Sequence, residues 1–179
     1  MLKNYNLAAE LWSQIGLPEA PLVDAGNHFH LAPHRMALVA AYGGVSFWND
    51  SKATNFHAAR AAIAGMGKPV YWIGGGSSKG GDVDRFAAEI SKMATASFVY
   101  GEVGESLAAE MRAHSAQAEY HADFVDAVRA AAAAALKAGS GAVLMSPGFA
   151  SFDQFSSYAQ RGECFISTVL SLKQAVPSD

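Results

Sequence analysis

With 179 residues, 51% of them apolar and only 16% charged, the chain has enough hydrophobic material for a packed core and lacks the composition of a disordered segment. A net charge of -3 gives no field to attract a nucleic acid. The one cysteine, Cys164, excludes an internal disulfide framework, and no apolar run reaches the roughly 18 residues that a membrane-spanning helix requires.

Met1 to Asn6 has no apolar stretch leading to a small-residue cleavage site, so a soluble cytoplasmic protein is expected. Asn6 to Ile15 predicts a short helix, closed by Gly16 and Pro18. From Leu17 to Pro33 the chain carries Pro18, Pro21, Gly26 and Pro33 without a clear period, which predicts an irregular boundary. A lone helix with a long connection forms no core, so residues 1–32 are expected to belong with a different body. The main body begins near His34. Met36 to Tyr42 and Val45 to Asn49, separated by Gly43-Gly44, predict a hairpin.

Helices and strands then alternate. Thr54 to Ala64 reads as a helix, Pro69 to Ile73 as a buried strand, Asp84 to Ala94 as a helix and Ser97 to Tyr100 as a strand. Glu105 to His114 follows as a helix and Ala118 to Tyr120 as a weak strand. Asp123 caps a helix that runs to Lys137 and stops at Gly139. Ala142 to Met145 is a last strand, broken by Pro147-Gly148, and Phe152 to Lys173 is a closing helix. The pattern predicts a three-layer α/β domain: a mostly parallel sheet with an antiparallel edge hairpin, covered by helices on both faces.

In such a sheet, ligands bind beyond the carboxyl ends of the strands. That rule selects three polar loops. Asn49-Asp50-Ser51-Lys52-Ala53-Thr54-Asn55 sets a carboxylate, an ammonium and hydroxyls between a strand and a helix start. Gly74-Gly75-Gly76-Ser77-Ser78-Lys79-Gly80-Gly81-Asp82 lets backbone approach a ligand and adds a cation. Ser146 to Phe155 opens the closing helix with hydroxyl and amide groups, placing Ser151 at its amino end. Lysines, hydroxyls and helix amino ends together suit a small dicarboxylate or a phosphate. Ser151 has no His and Asp partners that would make it a nucleophile. The histidines, including His28 and His30, form no metal-ligand pattern, and no metal site is expected.

Pro33-His34-Arg35-Met36, Asn49 to Asn55, the glycine loop with Lys79, Ser146-Pro147 with Ala150-Ser151-Phe152-Asp153-Gln154-Phe155, and Tyr158, Arg161-Gly162 and Phe165 follow one another in order. This series resembles the signatures of the Mur ligases, and within them the branch that adds D-glutamate to UDP-N-acetylmuramoyl-L-alanine in peptidoglycan synthesis. The resemblance runs from about Pro33 to Leu172, and its specific parts are the DSKATN loop and the segment around ASFDQF. It implies that residues 33–179 are the family's carboxy-terminal, amino-acid-binding domain, with a Rossmann-like fold. Residues 1–32 would be a remnant of its central ATPase domain and linker.

The activity so implied is ATP-dependent amide formation. ATP phosphorylates the alanyl carboxylate, the D-glutamate amine attacks the acyl phosphate, and Mg2+ bridges the phosphates. By the same resemblance Thr54, Lys79 and Ser151 hold the carboxylates of D-glutamate, with backbone near Phe152 and Tyr158 helping. Arg35 and Asp50 close over the ATP, with Lys52 on the phosphate side. No GxxxxGK(S/T) loop occurs, so ATP and Mg2+ are expected to be held mainly by another domain and the chain to be inactive alone. Ser78 stands where the family usually has an acidic residue before the loop lysine. The expected partners are D-glutamate, ATP and UDP-N-acetylmuramoyl-L-alanine, with no nucleic acid and no membrane, acting as a monomer in the bacterial cytoplasm. The alternatives are a stand-alone Rossmann-like module for a nucleotide or small acid, and a domain that only docks on a partner.

Overall fold

The computed structural model describes residues 2–27, 32–67 and 69–175. His28 and His30 lie outside the described residues. The chain divides into two compact units, Met1–Ala32 and Pro33–Asp179.

The first unit holds α1 (Leu2–Gln14) and α2 (Glu19–Asn27). The second helix corrects the expectation of an irregular stretch. Pro21 falls in its first turn, where a backbone N–H has no helical acceptor, so the proline does not break it. Leu7 and Leu11, four residues apart and hence on one face of α1, and Ile15 just beyond its end are all more than half exposed. None of the side chains described in this unit is buried.

The second unit runs β1 (Ala37–Tyr42), β2 (Val45–Asn49), α3 (Phe56–Ala64), β3 (Val70–Gly75), α4 (Val83–Ser91), β4 (Ala96–Tyr100), α5 (Gly104–Ala113), β5 (Ala118–His121), α6 (Phe124–Ala138), β6 (Gly141–Gly148) and α7 (Tyr158–Ala175). The strands form one sheet in the order β1-β2-β6-β3-β4-β5. β1 pairs antiparallel with β2, and all other pairings are parallel. Gly43 and Gly44, with φ of 55° and 75°, supply the left-handed pair that a tight hairpin turn needs.

Period-2 alternation divides the strand side chains between two cores. Phe47, Tyr71, Ile73, Phe98, Tyr100, Val143 and Met145 face α6 and α7. Val70, Trp72, Val99 and Leu144 face α3, α4 and α5. Phe86 of α4 stacks on Phe56 at 4.2 Å between ring centres and meets Trp72 and Phe149 edge-on, which fastens α4 over the loop that leaves β6.

Several boundaries differ from the sequence reading: α1 begins at Leu2, β3 runs on to Gly75 and α4 ends at Ser91, and three more differences have a visible cause. α3 begins at Phe56, because the Asn55 side chain accepts the Ala58 N–H and caps the helix there, leaving Thr54 outside it. β6 runs through Pro147 to Gly148 instead of breaking. From Ile73 to Gly75, β3 advances two residues while β6 advances three, and the missing Pro147 N–H falls in that irregularity. α7 starts at Tyr158, not Phe152. Ser157 accepts from the Gln160 N–H while the Gln160 side chain accepts from Ser156 N–H and hydroxyl, a reciprocal cap that sets the start. Ser151 instead opens a single turn, with its carbonyl accepting from Phe155 N–H at 2.8 Å.

Candidate functional site

The strand order decides where the chemistry lies. β2, β6 and β3 are parallel neighbours, so the loops leaving their carboxyl ends sit side by side. These are residues 50–55, 149–157 and 76–82, the polar loops that the sequence singles out. The backbone stitches them together. Gly148 N–H donates to Ala53 carbonyl at 2.9 Å, and Ser77 N–H donates to Ala150 carbonyl at 3.0 Å. Thr54, Lys79 and Ser151 thus hang from one rim, each within two residues of a stitch. The loop after β4 joins them, since Val103 N–H donates to Gly76 carbonyl and Glu102 N–H to Asp153 Oδ2, at 3.2 and 3.1 Å.

The motif side chains divide into two groups. Asp50, Ser51, Ser146 and Arg161 are buried and fully engaged inside the protein. The Thr54 hydroxyl, the Lys79 ammonium and the Ser151 hydroxyl have no protein partner among the described residues. The rim therefore carries three unspent donors, and the groups beneath it hold it in shape. Phe152, 70% exposed, stands beside Ser151. The Lys52 ammonium lies 5.4 Å from the centre of the Tyr158 ring, a cation–π contact that brings the DSKATN loop to the start of α7.

Next to that contact is the turn bearing Arg35. His34 and Met36 have φ of 59° and 46°, left-handed values that non-glycine residues adopt at a cost. The surroundings over-determine this shape. His34 carbonyl accepts from Lys52 N–H at 3.0 Å, and Met36 N–H donates to Asp50 Oδ1 at 3.1 Å. Asn49, fully buried, donates through Nδ2 to Gly162 carbonyl and accepts at Oδ1 from Ser51 N–H. Its orientation is thereby fixed, so His34 Nδ1, 3.0 Å from Asn49 Nδ2, is the acceptor and Nε2 carries the proton facing Glu163. Gly162 leaves the notch that the His34 ring fills. Arg35 itself is exposed on this rigid turn.

Asp50 is 6% exposed, with Oδ2 accepting from the Ser146 hydroxyl at 2.7 Å. Burial pushes its carboxyl above the ordinary carboxylate value, against the pull of Ser146, the Met36 N–H and the Arg35 charge. It fastens the Arg35 turn to β6.

Sequence reasoning gave Arg161 no role of its own. It is fully buried in the first turn of α7 and donates to Ser51 Oγ (3.0 Å), Ser51 carbonyl (2.9 Å), Tyr100 hydroxyl (3.0 Å), and the Phe149 and Ala150 carbonyls (3.3 Å each). The available signal was its spacing, four residues before Phe165 and eight before Val169, both core residues. A charge on the apolar stripe of a helix demands an explanation.

A model of the Mur ligase, glutamate ligase domain matches residues 34–148. The chain belongs to the Mur ligase family. The match to this Mur ligase domain begins at the strained His34 turn and ends where β6 meets the rim. The UDP-N-acetylmuramoylalanine--D-glutamate ligase of Nitrosospira multiformis is 36% identical over 168 residues, covering 94% of this chain and 35% of that protein. The ligase of the same name from Ralstonia nicotianae is 37% identical over 169 residues, covering 94% and 34%. The chain thus spans about a third of the length of the curated relatives it matches.

Among solved structures, Mycobacterium tuberculosis folylpolyglutamate synthase complexed with ADP and AMPPCP superposes with a TM-score of 0.58 at 16% identity, over 91% of this chain and 38% of that one. The ligand-free bifunctional folylpolyglutamate synthase/dihydrofolate synthase from Yersinia pestis gives 0.57 at 19%, over 93% and 38%. At such identities the likeness is one of fold. Among the described residues, no helix is long and apolar enough to cross a membrane.

Proposed function

We propose that this Mur ligase domain presents D-glutamate for amide formation with UDP-N-acetylmuramoyl-L-alanine, a step of peptidoglycan precursor synthesis in the bacterial cytoplasm. On this reading residues 1–32 are the tail of an adjoining ATPase domain and its linker. The apolar face of α1, exposed at Leu7 and Leu11 and followed by an exposed Ile15, supports that origin. The enzyme works as a monomer.

The observation that carries the proposal is the rim of unspent donors at Thr54, Lys79 and Ser151. D-glutamate has two carboxylates to be held and one amine to be left free. Lys79 neutralises one carboxylate, and the hydroxyls of Thr54 and Ser151 donate to the pair. The backbone near Phe152 and Tyr158 completes the wall. Oriented in this way the amine is free to attack, and the gain is one of positioning.

ATP and Mg2+ supply the activation of the alanyl carboxylate as an acyl phosphate and the neutralisation of phosphate charge. The residues here suit the phosphate side. Arg35 is exposed on an over-determined turn, Lys52 adjoins it through the His34 carbonyl, and both are cations. Asp50 serves that side by holding the Arg35 turn in place.

The test is Lys79→Ala in a ligase carrying this domain. Leaving a carboxylate unpaired is expected to raise the KM for D-glutamate about 10- to 100-fold with little change in the KM for ATP. An unchanged KM for D-glutamate removes Lys79 from the site.

A further inference from the structure

We propose that Arg161 is the positioning residue of the rim, which by gathering the Phe149 and Ala150 carbonyls on one side turns the backbone N–H of Ser151 into an anion donor on the other. The geometry rests on the planarity of the peptide. In a trans peptide the C=O of one residue and the N–H of the next point in opposite directions. The Ala150 carbonyl points at the Arg161 guanidinium, 3.3 Å away, and also takes the Ser77 N–H. The N–H of Ser151 therefore points away from the guanidinium. Neither Ser151 N–H nor Phe152 N–H finds an acceptor among the described residues, although Ser151 is only 3% exposed. Buried backbone donors are almost always paired, so an unpaired one beside a free hydroxyl marks where a ligand oxygen belongs.

The same guanidinium reaches two of the three rim loops and the end of β4. It holds the DSKATN loop at Ser51, the β6 loop at Phe149 and Ala150, and the end of β4 at Tyr100. Ser51 passes the restraint on by donating to the Tyr158 carbonyl at 2.7 Å. None of the ion pairs among the described residues includes Arg161. Its charge is solvated by carbonyls and hydroxyls, with no carboxylate in ion-pair contact. Asp153 is the acid whose charge also reaches this cluster, acting on Tyr100 in the opposite sense to Arg161. A lysine in this position would keep the charge but lose the planar fork that meets several carbonyls at once.

That the Ser151 N–H receives a carboxylate of D-glutamate rests on the function proposed above; that Arg161 orients it does not. The test uses the 15N-labelled chain in wild-type, Arg161→Lys and Tyr100→Phe forms. D-glutamate is titrated while the Ser151 and Phe152 amide resonances are followed, and hydrogen exchange and melting are measured alongside. Arg161→Lys is expected to shift the ligand-free Ser151 and Phe152 amides, to speed exchange at Ser77 and Gly148, and to weaken D-glutamate binding about tenfold while unfolding stays cooperative. Tyr100→Phe, which removes one acceptor and keeps the ring, is expected to do the same more weakly. The proposal is overturned if Arg161→Lys leaves both amides and the affinity unchanged, or if it does not fold and Tyr100→Phe leaves them unchanged. A wild-type chain that binds no D-glutamate overturns the functional reading alone, because the amide positions in the ligand-free variants still decide the role of Arg161.

Discussion

Gly162→Ala sets two physical effects of opposite sign against each other. Gly162 lies inside α7, and an alanine there adds about 1 kcal/mol of helix stability by intrinsic propensity. The added methyl, however, would meet the His34 ring, at 2.7 Å from Cγ and 2.9 Å from Cε1, with Nδ1 closer still. The ring cannot yield cheaply. It is 8% exposed, accepts from Asn49 at 3.0 Å and sits edge-on to Tyr158 at 6.4 Å. Displacing it strains a packed site by about 1–3 kcal/mol. It also strips one partner from a fully buried amide, for about 1–3 kcal/mol more. The net expectation is a loss of about 2 kcal/mol, a fall in Tm of about 4–8 °C for a unit of this size. Thermal unfolding followed by circular dichroism at fixed pH measures it. A rise in Tm would show that propensity wins and that His34 is not wedged as described.

The remaining predictions concern charge. Asp50→Asn removes a carboxyl whose folded-state affinity for a proton is raised, so the folded form of the wild type binds that proton more tightly than the unfolded form does. The stability contributed by this group is complete below the ordinary value of 3.8 and is lost as pH rises through the higher folded value. Urea unfolding is therefore expected to show the variant gaining on the wild type as pH goes from about 4 to 7; a relative loss over that range contradicts the assignment. In a ligase carrying the domain, Arg35→Ala is expected to raise the KM for ATP about tenfold or more and to leave the KM for D-glutamate within about twofold, the reverse of Lys79→Ala. Equal effects on both constants would dissolve the division between the two sides of the rim.

Local chemistry made much of the fold legible. Asp123 and Gly139 bound α6 as expected, because the Asp123 side chain accepts from Val125 and Asp126 N–H groups and Gly139 takes the left-handed cap at φ 71°. The Gly43-Gly44 hairpin follows from the same kind of rule. What remained hidden depends on neighbours distant in sequence. The insertion of β6 between β2 and β3, which assembles the rim, is a property of crossover connections and leaves no mark on any one segment. Pro147 reads as a strand breaker until its place in an irregular pairing is known. Phe152 reads as the start of α7 because the apolar period extends back to Phe155, whereas the reciprocal cap at Ser157 and Gln160 sets the real start. Thr54, Lys79 and Ser151 were visible as candidates from loop position. Asp50 and Ser51, in the same loop as Thr54, could be assigned to the support beneath the rim only once their burial was known.

The central claim is that one edge of the sheet holds both carboxylates of a single enantiomer. Titrating the 15N-labelled chain with D-glutamate and then with L-glutamate, and following the amides of Thr54, Lys79, Ser151 and Phe152, tests it most directly. The account predicts saturable shifts at all of these positions with D-glutamate, and weaker or absent ones with L-glutamate. Identical responses to the two enantiomers, or shifts confined to residues away from the rim, would contradict it.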